Sequence, residues 1–99
     1  MIVHVLPEAI VDLEAIGDYI VRDNPHRAVT LIQELRDKCL SLAEMPLAFP
    51  VVPRYERYGI RHRIYGNYQI FYRVVESNDR IDVVHILRSA RNYAAILFP

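Results

Sequence analysis

The residues best equipped for chemistry in this chain are arginines. Arg61, Arg63, Arg73, Arg88 and Arg91 fall within one stretch, GIRHRIYGNYQIFYRVVESNDRIDVVHILRSAR, over residues 59–91. A guanidinium is planar, always charged and presents forked donors, so it suits bidentate recognition of carboxylate or phosphate. The chain has one lysine, Lys38, so nearly all its positive charge is of this kind. Arg61 and Arg63 stand two apart and share one face of an extended strand. The five arginines are the candidate contacts for an acidic partner. Other chemistry is sparse. His4, His26, His62 and His85 show no metal-ligand spacing, and a lone Cys39 forms no internal disulfide and no cysteine-paired metal site. No metal or cofactor is expected. His62, between Arg61 and Arg63, is the one histidine with a catalytic reading, whereas His85 among Val84, Ile86 and Leu87 reads as a hydrogen-bonded strand residue. The tyrosines at 55, 58, 65, 68 and 72 have faces on which bases stack, but packing on a sheet accounts for them more simply.

The arginines must be held by the elements of this stretch. Three apolar runs, residues 60–65, 68–75 and 81–87, are of strand length and rich in Tyr, Phe, Ile and Val, which fit a pleated, half-buried surface. Gly66-Asn67 closes a tight hairpin between the first two. Residues 76–79 (ESND) are turn-prone and return the third run antiparallel to the second. Strict alternation puts Tyr68, Ile70, Tyr72 and Val74 on one face, opposite Gln69, Phe71, Arg73 and Val75. In the last run it separates Asp82, Val84, Ile86 and Arg88 from Ile81, Val83, His85 and Leu87.

Upstream, residues 2–6 read as a short strand stopped by Pro7, which fits the first turn of a helix. From Glu8 to about Asp23, Ala9, Ile10, Leu13, Ile16, Ile20 and Val21 recur in helical steps. Asn24-Pro25 supplies an N-cap and a first-turn proline for a second helix reaching about Glu44. Its apolar face is Ala28, Leu31, Ile32, Leu35, Cys39, Leu42 and Ala43, with Glu34 and Lys38 as a supporting i, i+4 pair. Helices joined by so short a link form an antiparallel hairpin. Three prolines make residues 46–58 an irregular or extended connector, and residues 92–99 are an apolar tail suited to a helical turn docked on the sheet. The order is β-α-α-β-β-β: an α+β two-layer sandwich, with a helical hairpin on one face of a small, mainly antiparallel sheet. The hairpin covers one face only, which leaves the second as a groove for a partner helix or strand.

Ninety-nine residues make one domain, and 53% hydrophobic residues supply a core with apolar surface to spare for a partner. Twelve basic against twelve acidic residues give zero net charge, unlike a sequence-blind nucleic-acid binder. The charge is unevenly laid out: residues 1–50 carry −4 and residues 51–99 carry +4, so the second half offers a positive face. The sequence shows no leader pattern and no apolar run of membrane-spanning length, so a reduced, cytoplasmic protein is expected, with no membrane partner.

Four segments together resemble the RelE/ParE superfamily of type II toxin–antitoxin systems. They are A-x-x-D-L-x-x-I-x-x-Y-I-x-x-D-N-P over Ala9 to Pro25, L-A-x-x-P from Leu42 to Pro46, Y-Q-I-F-Y-R-V from Tyr68 to Val74, and V-H-I-L-R-S-A-R from Val84 to Arg91. The resemblance spans the chain in order and is stronger toward the ParE-like branch, through the D-N-P link and the I-x-x-Y-I pattern. It implies the same β-α-α-β-β-β fold and a cognate antitoxin that wraps and neutralises the toxin in a hetero-oligomer.

The superfamily carries two activities, so fold alone does not choose between them. RelE-like members cut messenger RNA on the ribosome; ParE-like members poison DNA gyrase by binding. Ribose 2′-OH attack needs a base, cations for the phosphorane and an acid for the leaving oxygen. On that reading the catalytic residues are Arg61, Arg63 and Arg91, at positions matching the family's paired lysines and post-strand arginine. Gln69 stands where a further arginine is expected, and Tyr93 lies too close to Arg91 for the family's catalytic tyrosine, whose place is near Leu97. The set is incomplete. A gyrase-binding toxin without chemistry of its own is therefore the first expectation, with Arg61, Arg63, Arg73, Arg88 and Arg91 contacting target or antitoxin. A ribosome-dependent endoribonuclease, or a degenerate module that only binds antitoxin, is the alternative.

Overall fold

In the computed structural model, residues 1–98 are described; Pro99, the end of the expected tail, lies outside them. Strand β1 (Ile2–Val5) leads through Leu6 into helix α1 (Pro7–Val21), and helix α2 (Pro25–Leu40) follows a three-residue link. Asn24 caps α2 through its side chain, accepting from the Arg27 N–H at 3.0 Å, and Pro25 opens the helix. The helical path continues past Leu40 as a 3-10 turn, Ser41–Glu44. Strands β2 (Ile60–Tyr65), β3 (Tyr68–Val75) and β4 (Arg80–Arg88) form the meander, and a short helix α3 (Tyr93–Leu97) closes the chain. The turns are as expected: Gly66 takes the left-handed conformation (φ 58°) that a two-residue hairpin demands, and Asp79 (φ 49°) ends the second turn.

The sheet order is β1-β4-β3-β2, antiparallel except for β1, which runs parallel to β4. The helical hairpin packs on one face. There Ala9, Leu13 and Ile16 of α1 meet Leu31, Leu35 and Cys39 of α2 over Ile70, Tyr72, Ile81, Val83 and Ile86. The helix periodicity holds with two corrections. Ile10 and Val21 are exposed rather than core, because they lie at the margin of the α1 stripe, away from the sheet. The expected Glu34–Lys38 pair does not form; Glu34 takes Arg27 at 2.6 Å and the Tyr65 hydroxyl instead. The second face carries its own cluster, Val52, Ile60, Phe71 and Leu87, against which Tyr93, Ile96, Leu97 and Phe98 dock. The tail thus occupies part of the face that the sequence leaves open for a partner.

Alternation in β4 fails at one point. Phe71 pairs with His85 but Tyr72 pairs with Val83, so Val84 has no opposite residue and forms a bulge. Ile81 and Val83 face the helices, and the next residue to do so is Ile86, while Val84 and Leu87 turn to the second face. The bulge lies just beyond the last β1 pairing, Val5 with Val83, where β4 becomes a sheet edge.

Candidate functional site

The free half of β4 is covered by α1 rather than by a strand. Asp12 reaches it with one carboxylate oxygen, which accepts the Ile86 N–H at 2.9 Å and stands 2.7 Å from His85 Nδ1. The carboxylate thereby takes over a backbone donor that β1 is too short to pair. Two turns further along α1, Tyr19 lies under the Arg88 guanidinium, 5.6 Å from ring centroid to charge centre. Asp12, Ala15, Ile16 and Tyr19, at helical spacings of three and four, form one wall of a cleft of about 230 Å³. Tyr68, Ile86, Leu87, Arg88 and Arg91 form the other. A turn after β4, closed by the Arg91 N–H on the Arg88 carbonyl at 3.0 Å, brings those two arginines to the same rim. Both are exposed, and among the described residues neither is in an ion pair.

The other three candidate arginines are engaged elsewhere. Arg61 and Arg63 do share a strand face, and it is the one turned to the helices, since they pair with Tyr72 and Ile70 of β3. Arg61 donates to the Phe49 carbonyl at 2.6 Å. Arg63 donates to the Lys38 carbonyl at 2.9 Å and to Ser41 Oγ at 2.8 Å, and lies over the Phe49 ring at 4.7 Å. It thus caps the carbonyl end of α2 with a positive charge, where the helix dipole favours one. Arg73 lies 3.8 Å from Asp82, which also holds Arg80 at 3.0 Å. Two of the five therefore meet at one cleft and three serve backbone or carboxylate partners.

The nuclease positions resolve in the same way. Arg91 lines the cleft by α1, whereas Arg63 sits at the end of α2 and Arg61 on the Phe49 carbonyl. Gln69 is buried and bonded to His62 at 2.9 Å. Tyr93 packs tilted on Phe71 with ring centroids 5.3 Å apart. Cys39 is fully buried, and burial pushes its thiol up to about 12. The Tyr65 hydroxyl and Arg27 hold the Glu34 carboxyl below its ordinary range. No group of three or more His, Cys, Asp or Glu among the described residues is placed to hold a metal ion.

Asp12 and Tyr19 are site residues that a search for charged strand positions passes over. Their signal was present: with Ala15 and Ile16 they make an i, i+3, i+4, i+7 stripe beside the core stripe of α1. What it touches depends on where β1 ends.

A family model for the ParE toxin of the type II toxin–antitoxin system parDE matches residues 3–93. The chain belongs to the ParE toxin family. Solved structures agree on the fold. A chain of the chromosomal ParDE toxin–antitoxin system from P. aeruginosa superposes with a TM-score of 0.76 at 22% identity, over 89% of this chain and 95% of that one. A chain of the RelBE2 toxin–antitoxin complex from Mycobacterium tuberculosis gives 0.66 at 17% identity, over 88% and 95%. Curated sequences give no match. For this ParE-family toxin, no helix among the described residues is long and apolar enough to cross a membrane.

Proposed function

We propose that this protein is a cytoplasmic toxin that arrests growth by binding DNA gyrase and is held inactive by a cognate antitoxin. Membership of the ParE family supports the toxin role, and the relatives of known structure come from toxin–antitoxin systems. The observation that carries binding over RNA cleavage is the use made of the arginines. Arg61 and Arg63 spend their donors on the Phe49 and Lys38 carbonyls, Gln69 is bonded to His62, and Tyr93 is packed on Phe71. Residues so engaged are poor partners for a phosphorane, whereas the free pair Arg88 and Arg91 suits contact with another protein.

Neutralisation has its own surface in this reading. The outer side of the helical hairpin is an apolar groove through Ile10, Gly17, Val21, Val29 and Ile32, with Glu14, Asp18 and Arg36 on its rim. The apolar face of an amphipathic antitoxin helix fits it. The deciding experiment mixes antitoxin-free protein with gyrase, ATP and relaxed plasmid. Loss of supercoiling with gyrase-linked linear DNA after detergent is the expected result. An inert gyrase assay together with messenger cleavage on programmed ribosomes would overturn it in favour of the endoribonuclease.

A further inference from the structure

We propose that the α1–β4 cleft is a receptor for an apolar side chain carrying a carboxylate beside it, supplied by a protein partner. The inference rests on the reading of this chain as a toxin that acts by binding, and it names what its free arginines hold. The cleft has two parts of different chemistry. Its floor is hydrocarbon, from Ile16 and Ile86, and its rim is the Arg88 and Arg91 pair with the Tyr19 and Tyr68 rings. A carboxylate spanning two guanidiniums gains charge-assisted hydrogen bonds, and the adjoining aliphatic group leaves water against the floor.

Two observations favour a peptide over other anions. The volume, about 230 Å³, lies below the roughly 300 Å³ at which small-molecule sites begin, and suits one anchoring side chain. A stacked nucleotide with its sugar and phosphate needs more room than this. The chain as a whole is uncharged, so it lacks the diffuse positive field that draws nucleic-acid backbones. Asp12 lies in the same cleft, but its Oδ2 already accepts from Ile86 N–H and faces His85 Nδ1. Its negative charge directs an incoming carboxylate away from the β4 edge and toward the arginine rim. Arg88 is meanwhile pre-placed over Tyr19, so less side-chain freedom is lost when the anion arrives.

The carboxylate has two possible sources, a Glu or Asp side chain or the partner's own C-terminus. Both are tested with the ¹⁵N-labelled full chain and short synthetic peptides, followed by amide shifts in two-dimensional NMR. The probes are Ac-Ser-Leu-Glu-Ser-amide, its Gln counterpart, and Ac-Ser-Ser-Leu with a free or amidated terminus. The expected result is saturable shifts at Tyr19, Tyr68, Ile86, Leu87, Arg88 and Arg91 for a carboxylate-bearing member. Its uncharged counterpart should bind at least about tenfold more weakly, since hydrogen bonds to an ion are the stronger kind. Whichever of the Glu and free-terminus peptides shows this names the source. R88Q and R91Q should each remove the preference while the remaining spectrum stays in place. Equal binding of charged and uncharged peptides, or shifts that avoid the cleft, would overturn the proposal. Tighter binding of a short oligothymidylate at the same amides would also overturn it and assign the cleft to nucleic acid. The readout does not involve gyrase, so an inert gyrase assay with a peptide-binding cleft would remove the target and keep the receptor.

Discussion

Replacing Arg63 by Met separates a structural arginine from a binding one. The substitution keeps an unbranched stem against Phe49 and removes the donors to the Lys38 carbonyl and Ser41 Oγ. A hydrogen bond from a charged group is worth about 1.5–3 kcal/mol when lost. A cation at a helix C-terminus adds roughly 0.3–1 kcal/mol, and the two overlap because one guanidinium supplies both. The Lys38 carbonyl is not left stranded, since Ser41 Oγ also donates to it at 3.1 Å. The lower end therefore applies, and R63M should cost ~1.5 kcal/mol. For a domain of this size that lowers Tm by about 6–12 °C. With no tryptophan in the chain, urea unfolding followed by far-UV circular dichroism is the assay. Adding S41A removes the second donor to the same carbonyl, so the double variant should lose more than the sum of the singles by roughly 0.5–1 kcal/mol. A midpoint and slope unchanged in R63M would refute the reasoning and return Arg63 to the solvated face. If R63M also weakens toxicity, the effect should vanish at a temperature where the variant is fully folded; R91Q should show no such recovery.

Asp12→Ala should cost ~2 kcal/mol by stranding the Ile86 N–H at the sheet edge. Asp12→Asn, which keeps an acceptor, should cost about half as much; amide exchange at Ile86 should rise far more in the Ala variant. Native Cys39, its thiol raised to about 12, should resist thiol reagents at pH 8 until the chain unfolds. The folded state keeps that proton where the unfolded thiol, near 9.0, gives it up. The stability it contributes is therefore full below pH 9 and falls as pH rises toward 12. Glu34 behaves oppositely, because its carboxyl is held below the ordinary 4.5 chiefly by the Tyr65 hydroxyl. Its contribution is present above that value and lost as pH falls through the folded one, so Tyr65→Phe should move the Glu34 carboxyl titration up in carbon-detected NMR.

The fold was legible because its signals are local. Asn24-Pro25, Gly66-Asn67 and the 3.6-residue spacing of Leu31, Leu35 and Cys39 act over a few residues, and the structure places each as expected. The site was legible only in its residue types. That Arg63 would meet the Lys38 carbonyl depends on a contact across 25 positions, and that Asp12 would hold Ile86 on one across 74. No spacing rule carries information over such distances. The β4 bulge was hidden for the same reason: Ile81 to Arg88 reads as an unbroken alternation unless one knows where the neighbouring strand stops.

That stopping point ties fold to function. β1 is four residues long because Pro7 follows it so closely, and β1 therefore pairs only the first half of β4. A strand end left open in this way needs another source of acceptors, and α1 provides it through Asp12. The helix then crosses the sheet at the end of β4, where Tyr19 comes under Arg88 and a wall forms opposite Ile86 and Leu87. A longer first strand would pair Ile86 directly, displace α1 and close the cleft. The free arginines thus owe their setting to one proline. By contrast Arg61 and Arg63, the pair most conspicuous in the sequence, are consumed in anchoring β2 to the end of α2 and the Phe49 connector. Charge that a strand carries inward is used by the fold; charge at or beyond the last residue of β4 stays available to a partner.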